Sequence, residues 1–436
     1  ISKPRKLGFI KNPKTQKDIA IRFTDIKHAL PGDTVLVELN GQKIEEMEQG
    51  VVIEIIKRAK TKFVGTVQKN GGDCFIIPDN QKVYVYINLD SDEASKVEHN
   101  DKVYIVLDSW AEKDERPNGK VLQVIGKKGI HEVEIRSIIL EKGFDAEFQE
   151  GVLRDADELK KEWSPIPESE IAKRRDMRGT LTMTIDPIDA KDFDDALSFK
   201  ILDNGNYEIG VHIADVSHYV TPGTIIDKEA VERQFSVYLV DRTIPMLPEV
   251  LSNDLCSLNP NEEKLSFSAI FEINKNAEIL NEWFGKTIIK SDKRFTYENA
   301  QETLDAGSGE FFEELNTLNI IAKKLAEKKF ASGAIRFNSE EFKFELDENG
   351  VPIAIHKKPH LETHSLVEDF MLLANRYVAK FIYDRCEDSN GNCSLMYRVH
   401  NVPDKDKISE LAVFAKALGY TLNINKDGVV TAKDLN

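Results

Sequence analysis

Residues 184–199 read TIDPIDAKDFDDALSF and place five aspartates within ten positions. Apolar residues alternate with polar ones over 181–185, and apolar residues return over 196–199, so both flanks have the pattern of β-strands. The stretch therefore predicts an acidic loop between two buried strands. Two carboxylates about 4 Å apart repel by about 4 kcal/mol at an effective dielectric near 20, so we expect a neutralising cation. Carboxylate oxygens without neighbouring Cys or His favour Mg²⁺, with Mn²⁺ as the alternative, over zinc.

Aspartates cluster in this way in three kinds of acidic loop. An EF-hand is excluded, because counting from Asp186 puts Lys191 at the glycine position and Leu197 at the position of the bidentate glutamate. A purely structural acidic turn stays open. The third kind is a catalytic centre for phosphoryl chemistry, in which two divalent ions about 3.5–4 Å apart activate a water and stabilise the leaving oxygen.

Charge is distributed unevenly along the 436 residues, whose net charge is −16. Residues 1–130 hold 22 Lys and Arg against 19 Asp and Glu, a balance of +3, so the remainder carries −19. A locally basic surface can bind a polyanion even when the total charge is negative. No apolar run approaches the ~20 residues of a membrane span. The four scattered cysteines form no zinc pattern and favour the reducing cytoplasm.

Short alternating strands at close spacing predict two small OB or cold-shock barrels in tandem, over 1–60 and 61–130. The first barrel is expected to lack its opening strand. LGFIKNPK (7–14) and DCFIIPDN (73–80) set aromatic and aliphatic side chains beside lysines, as base stacking and phosphate binding require. Packing in the barrel core is the alternative for each of the aromatic residues concerned, which are Phe9, Phe75, Tyr84 and Tyr86.

A charged, mostly helical connector is predicted over 131–177, followed by an α+β domain over 178–436. Apolar residues at helical spacing predict helices over 311–330 and 365–384, and alternation predicts a strand over 207–220. The fold class is therefore multidomain, with two all-β barrels before a mixed catalytic-type domain.

Two histidines on the predicted strand, His212 and His218, suggest a metal pair at first sight. Six residues along a strand separate their side chains by about 20 Å, which is too far for one ion. We therefore interpret both histidines as structural.

The string Asp186-Pro187-Ile188-Asp189-Ala190-Lys191-Asp192-Phe193-Asp194-Asp195-Ala196 resembles the signature of the RNase II/RNase R (RNB) exoribonuclease family. The resemblance covers nearly the whole chain, and the two barrels correspond to the family's paired cold-shock domains. Five further stretches carry the likeness: HIADVSHYV (212–220), RQFSVYLV (233–240), IPMLPEVLSNDLCSLNP (244–260), ASGAIRFNSEE (331–341) and HSLVEDFMLLAN (364–375). The segments SVYL, GAIRF and SEE within these stretches resemble bacterial RNase R more than RNase II.

This resemblance implies a processive 3′→5′ exoribonuclease that releases nucleoside 5′-monophosphates by a two-metal mechanism and acts in RNA degradation and processing. Its expected partners are the 3′ ends of single-stranded RNA, with no membrane association, and we expect a monomer. The resemblance makes Asp186 and Asp195 metal ligands, gives Asp192 a supporting metal and catalytic role, and has Asp194 activate the attacking water. Asp189 lies outside this set and is expected to be a surface or outer carboxylate.

The resemblance also implies three RNA-binding residues. Tyr238 matches an aromatic that stacks on a base near the 3′ end, and Phe337 matches the opposing aromatic, although core packing is the alternative for each. Two aromatic faces grip any base, which explains tolerance of sequence. Glu368 would hold the terminal ribose, whose 2′-hydroxyl distinguishes RNA from DNA. It lies off the apolar stripe of its helix and shares a face with Asn375; a solvated carboxylate is the alternative.

Two features of the family are not found in the sequence. One is a late Ser-Pro-Ile-Arg-Arg-Tyr-like run, whose arginine stabilises the phosphate under attack and is worth orders of magnitude in rate. The other is a C-terminal OB-fold RNA-binding domain. Because the chain starts at Ile1 and stops at Asn436, we expect a fragment of a longer protein. A non-catalytic RNA-binding protein, or an inactive fragment, therefore remains the alternative. A hydrolase of small phosphoesters would not need two barrels.

Overall fold

The structure is a computed structural model that describes residues 6–44, 46–111, 113–144, 146–335, 340–388, 395–397, 399, 404–424 and 430. The chain divides into two compact units, Ile1–Glu147 and Phe148–Asn436. The division falls within the stretch 131–177 that the sequence assigns to a connector.

The first unit begins with a mixed four-stranded sheet in the order β1-β2-β4-β3. Its β2 and β4 pair in parallel, and its other pairs are antiparallel. The described residues of this sheet form four strands with free edges at β1 and β3, so the first of the two predicted barrels is an open sheet. Its elements are β1 (Leu7–Lys11), β2 (Asp18–Arg22), a 3₁₀ turn (Phe23–Asp25), β3 (Thr34–Ile44) and β4 (Met47–Lys57).

A closed barrel follows in the first unit, as the sequence predicted for its second module, with the order β5-β6-β7-β9-β8. Apolar residues that alternate along the strands, such as Val67, Ile76 and Val103, are fully buried inside it. Its elements are β5 (Lys62–Asn70), β6 (Asp73–Pro78), β7 (Ile87–Asn88), α1 (Ser91–Ser95), β8 (Asp101–Ser109) and β9 (Asn118–Lys127), and the helix α2 (His131–Lys142) comes after it.

The second unit is built on a mixed sheet in the order β10-β17-β16-β13-β12-β11-β18. Its helices and strands up to the last strand of this sheet are α3 (Glu150–Trp163), α4 (Glu168–Ile171), β10 (Arg175–Asp176), β11 (Thr182–Asp186), β12 (Asp195–Ile201), β13 (Tyr207–Ala214), α5 (Val216–Tyr219), α6 (Ile225–Arg233), β14 (Val237–Tyr238), β15 (Thr243–Ile244), a π-helical turn (Val250–Leu255), β16 (Glu263–Ile273), β17 (Ile279–Lys290) and β18 (Lys293–Thr296). The elements after it are α7 (Tyr297–Ala306), α8 (Phe312–Ala331), β19 (Glu341–Leu346), β20 (Pro352–Lys358), α9 (Glu362–Asp388) and α10 (Lys405–Ala417).

Both faces of this sheet are covered by hydrophobic clusters. Leu197 and the following alternate residue Phe199 pack with α8 and α9, whereas the neighbouring Ala196 packs with α3 and the π-helical turn. Successive side chains of a strand point to opposite faces, so β12 contributes to both clusters. The central strands are therefore buried on both sides and hold the loops at their ends in fixed positions.

The helix predictions are confirmed. Leu315, Leu318 and Ala322 of α8 are buried, and Leu366 and Phe370 of α9 are fully buried in the same cluster. The strand prediction over 207–220 is too long, because β13 ends at Ala214 and residues Val216–Tyr219 form the short helix α5. Asp215 between them is buried and ion-paired to Arg174 at 2.8 Å, which turns the chain out of the sheet.

The two histidines consequently lie on different elements, His212 on β13 and His218 on α5. His212 is fully buried, with Nδ1 2.6 Å from the Ser268 hydroxyl, and burial lowers its pKa to about 3. His218 stacks edge-on against Trp163, with ring centroids 4.2 Å apart. Both histidines are therefore packed against structural neighbours, as the sequence indicated. Among the described residues, no helix is long and apolar enough to cross a membrane.

Candidate active site

The predicted acidic loop connects two central strands, as the sequence indicated. β11 ends at Asp186 and β12 begins at Asp195. Because these strands are antiparallel, with Met183 opposite Leu197, both aspartates lie at the same end of the sheet. The hydrogen bonding between β12 and β13 extends one residue into the loop, where the Ala214 N–H donates to the Asp194 carbonyl at 3.0 Å. The fold thus brings the start and the end of the aspartate string together.

The carboxylates of this loop are partly removed from water and interact with one another. Asp186 is only 8% exposed, and burial raises its pKa to about 7; the Asp195 and Asp194 carboxylates add to the rise, whereas the Thr184 side chain and the Arg294 charge oppose it. Burial, and then the Asp194 carboxylate, raises the pKa of Asp195 to about 6. The pKa of Asp194 is raised by partial burial and by Asp192. Each carboxylate is thus electrostatically coupled to the next, as the resemblance to a metal centre requires.

One atom in this group is unsatisfied. The Asp186 Oδ2 is buried and accepts no hydrogen bond. An orphaned carboxylate oxygen costs free energy unless a cation or donor occupies the space beside it. The donor set contains only hard carboxylate oxygens, which fits Mg²⁺ or Mn²⁺. No three His, Cys, Asp or Glu side chains in the described part of the chain already converge to hold an ion. The residues fit a divalent cation by donor chemistry and by the orphaned oxygen of Asp186.

A turn after the π-helical segment anchors the middle of the aspartate loop. The Phe193 N–H donates to the Ser257 hydroxyl at 2.9 Å, and that hydroxyl lies 3.3 Å from the Lys191 carbonyl. The Leu258 N–H donates to the Phe193 carbonyl at 2.9 Å. Ser257 is fully buried, so these bonds form without competition from water. The run 244–260, which the sequence singled out only by resemblance, thus supports the aspartates on either side of Phe193.

Tyr297 is a neighbour of the aspartates that sequence reasoning missed. Burial and the carboxylates of Asp195 and Asp186 raise the pKa of its hydroxyl to about 12. Its ring stacks on His364 of α9, with centroids 3.9 Å apart and planes 10° from parallel. The only sequence signal was its place directly after the short strand KRFT. Tyr297 connects the end of the sheet that carries the aspartates with the helix that carries Glu368.

The other predicted residues occupy different positions around the loop. Asp189 is exposed and ion-paired to Lys343 at 3.0 Å; partial burial acts to raise its pKa, but the bond with Lys343 outweighs this and the pKa is lowered. Glu368 lies on an exposed part of α9, 3.4 Å from the Lys329 Nζ. Its neighbour Asp369 is buried and pairs with the same lysine at 2.7 Å.

The aromatic predictions have separate outcomes. Tyr238 is 71% exposed on β14, and its pKa is raised by partial burial and by the carboxylates of Asp192 and Asp194, so its ring stands at the edge of the acidic group. Phe337 lies outside the described residues. An exposed aromatic held beside a catalytic-type cluster is typical of a stacking surface.

Residues 174–434 match the RNB domain, and residues 75–149 match the cold shock domain. The chain belongs to the RNB family. The RNB domain match includes the whole aspartate loop, Tyr238 and Glu368. The assignment to RNase II and RNase R made from the motifs is thereby confirmed.

Individual RNB relatives agree with the family match. The chain is 34% identical to ribonuclease R of Thermotoga maritima over 411 residues, which cover 92% of the chain and 56% of that protein. The structure of Mycoplasma genitalium RNase R in complex with ribose-methylated single-stranded RNA matches with a TM-score of 0.89 at 26% identity, over 98% of this chain and 67% of that one. Yeast Ssd1, a pseudonuclease, shares the fold with a TM-score of 0.70 at 18% identity, over 98% of this chain and 59% of that one. The chain spans about half the length of the curated relatives it matches.

Proposed function

We propose that this chain contributes the catalytic aspartates and the RNA-binding first sheet and closed barrel of an enzyme that degrades single-stranded RNA processively from its 3′ end and releases nucleoside 5′-monophosphates. The observation that carries this proposal is the buried, unsatisfied Oδ2 of Asp186 beside the carboxylates of Asp195 and Asp194. A structural turn would satisfy its buried oxygen with a donor from the chain itself. Membership in the RNB family supports the same function.

The aspartates have two different roles in this proposal, metal binding and proton transfer. Asp186 and Asp195 would hold a pair of divalent cations, Mg²⁺ or Mn²⁺, with Asp192 in support. Such cations lower the pKa of a bound water and offset charge on the leaving oxygen of a phosphodiester. Asp194, whose pKa is raised by partial burial and by Asp192, is a stronger base than an ordinary aspartate and is suited to accept the proton of the attacking water.

Each unit offers residues of its own for binding RNA. Tyr238 offers an exposed ring for stacking on a base near the 3′ end, and Glu368 would accept a hydrogen bond from the ribose 2′-hydroxyl, with Phe337 opposite Tyr238 as a further expectation. In the closed barrel, Phe75 and Tyr86 stack with centroids 5.2 Å apart, and the Arg116 guanidinium lies 5.3 Å from the Phe75 centroid. A half-exposed aromatic pair beside a cation is suited to bases and phosphates. We further propose that the protein is a cytoplasmic monomer.

The test is the decay of 5′-labelled single-stranded RNA with Mg²⁺, compared with a DNA oligomer of the same sequence. We expect a ladder that shortens from the 3′ end on RNA alone and disappears with Asp194→Asn. Asp189→Asn is the matched control, because it makes the same change in the same loop on an exposed carboxylate, and it should retain the ladder.

Two results would contradict the proposal. Decay of RNA by Asp194→Asn at the normal rate would remove the aspartates from the chemistry. RNA that stays bound but intact with every variant, with affinity that falls steeply with salt and does not depend on Mg²⁺, would instead identify a non-catalytic RNA-binding chain.

A further inference from the structure

Arg294, on the edge strand β18, extends its side chain over the aspartate loop. β18 pairs in parallel with β11, with Arg294 opposite Thr184 and Phe295 opposite Ile185. Phe295 and Ile185 are both buried in the core with α8 and α9, so Arg294 lies on the other face, which it shares with Thr184 and Asp186. The register of one strand pair thereby sets a guanidinium beside the first aspartate of the string.

This guanidinium binds the loop at two separated places. Its Nη2 donates to the Pro187 carbonyl at 2.9 Å and to the Ile188 carbonyl at 2.8 Å. Its central carbon lies 5.1 Å from the ring centroid of Phe193, near the other end of the loop. The Phe193 ring is buried, so the cation packs on a fixed surface. One planar side chain therefore spans the loop from the residue after Asp186 to the residue before Asp194.

We infer that Arg294 is a positioning residue that holds the aspartate loop in the geometry needed to bind the divalent cations. Ser257 anchors the backbone at Phe193, and Arg294 holds the backbone at Pro187 and Ile188 and packs on the Phe193 ring. The inference deepens the proposed function and rests on it for the identity of the site as a nuclease centre. No motif in the sequence marks this residue.

Positioning and simple charge compensation lead to different expectations. A cation near carboxylates offsets their repulsion, and a lysine would do so as well as an arginine. Only arginine combines two donors on one nitrogen with a flat face that packs on an aromatic ring. Moreover, a compensating charge opposes the arrival of a second cation, so its removal should strengthen metal binding. Loss of a positioning group should weaken it.

The experiment compares Arg294→Lys and Arg294→Met with the unchanged chain. Mn²⁺ binding is followed by the EPR signal of free Mn²⁺ near pH 8, and RNA decay is followed separately as kcat and KM. We expect both variants to bind Mn²⁺ about 10–100-fold more weakly, the range seen when groups that orient metal ligands are removed, and to lose kcat with little change in KM. Lys293→Met is the matched control, because Lys293 pairs with Glu310 at 2.5 Å and should leave both readouts unchanged.

Normal Mn²⁺ binding by Arg294→Lys would overturn the inference and leave only a charge effect, and tighter binding by Arg294→Met would do the same. Urea unfolding of each variant confirms that the comparison is made on folded protein. If the unchanged chain binds Mn²⁺ but does not degrade RNA, the proposed function fails, while the order of Mn²⁺ affinities among the variants still decides the role of Arg294.

Discussion

Replacing Asp186 by asparagine should stabilise the metal-free protein. The carboxylate is 8% exposed and its pKa is raised from an ordinary 3.8 to about 7 by burial, so the folded state holds a proton that the unfolded state releases. The free energy of unfolding therefore falls as the pH rises from about 3.8 to about 7, and the full destabilisation by the ionised carboxylate is present above pH 7. At about 1.36 kcal/mol per pH unit the cost amounts to about 4 kcal/mol. Because Asp195 and Asp194 share the titration, we expect asparagine to recover about 2–4 kcal/mol.

The assay is thermal unfolding at pH 8 in the presence of a chelator, where Asp186→Asn should raise the midpoint by roughly 5–10 °C. The gain should shrink towards pH 4, where the carboxylate becomes protonated in the unfolded state as well as in the folded state. Addition of Mg²⁺ should reverse the order, because only the unchanged chain gains stability from a bound cation.

Asp189→Asn serves as the control for this prediction. Its carboxylate is exposed and paired with Lys343, and loss of a surface pair costs about 0–1 kcal/mol, so this variant should be no more stable than the unchanged chain at any pH. If Asp186→Asn unfolds at or below the temperature of the unchanged chain at pH 8 without metal, the account of Asp186 as a buried carboxylate awaiting a cation is refuted.

Three other substitutions test the surroundings of the site. Tyr238→Ala should weaken RNA binding by about 1–3 kcal/mol, the value of one stacked base, whereas Tyr238→Phe should retain most of it in a fluorescence titration. Ser257→Ala leaves the buried Phe193 N–H without an acceptor and should lower the free energy of unfolding by about 1–3 kcal/mol in urea, with a larger fractional loss of RNA decay. Arg174→Met leaves Asp215 buried with only the Lys286 cation, so it should cost about 3–5 kcal/mol; an effect below 1 kcal/mol would show that this ion pair contributes little.

The parts of the fold that depend on local pattern were predictable from the sequence. The strands on both sides of the aspartate loop and the buried faces of α8 and α9 follow directly from period-2 and period-3.6 alternation. The end of β13 was not predictable in this way, because the apolar alternation continues through His218 while the buried pairing of Asp215 with Arg174 ends the strand. The open edges of the first sheet, where the sequence predicted a closed barrel, were not predictable either, because local alternation does not specify which edge strands pair.

The composition of the site was predictable only in part. The aspartates cluster within ten residues, and this density is itself a chemical signal. Ser257 and Arg294 act on the loop from 64 and 106 residues further along the chain, through a hydroxyl and a guanidinium that are common on any surface. The run 244–260 around Ser257 was marked only by resemblance and no motif marks Arg294, because their roles in holding the loop arise from strand register and the path of a turn.

The distance along the chain between the aspartate loop and its supports has a consequence for biosynthesis. At about 5–20 residues per second, the stretch between Ile188 and Arg294 takes roughly 5–20 s to translate. During that interval the nascent chain carries the aspartates without the arginine that holds their loop, and in the first part of it also without Ser257. Contacts of such large sequence separation also form late in folding. The aspartate loop therefore gains its full set of supports only when β18 has been made and has paired with β11.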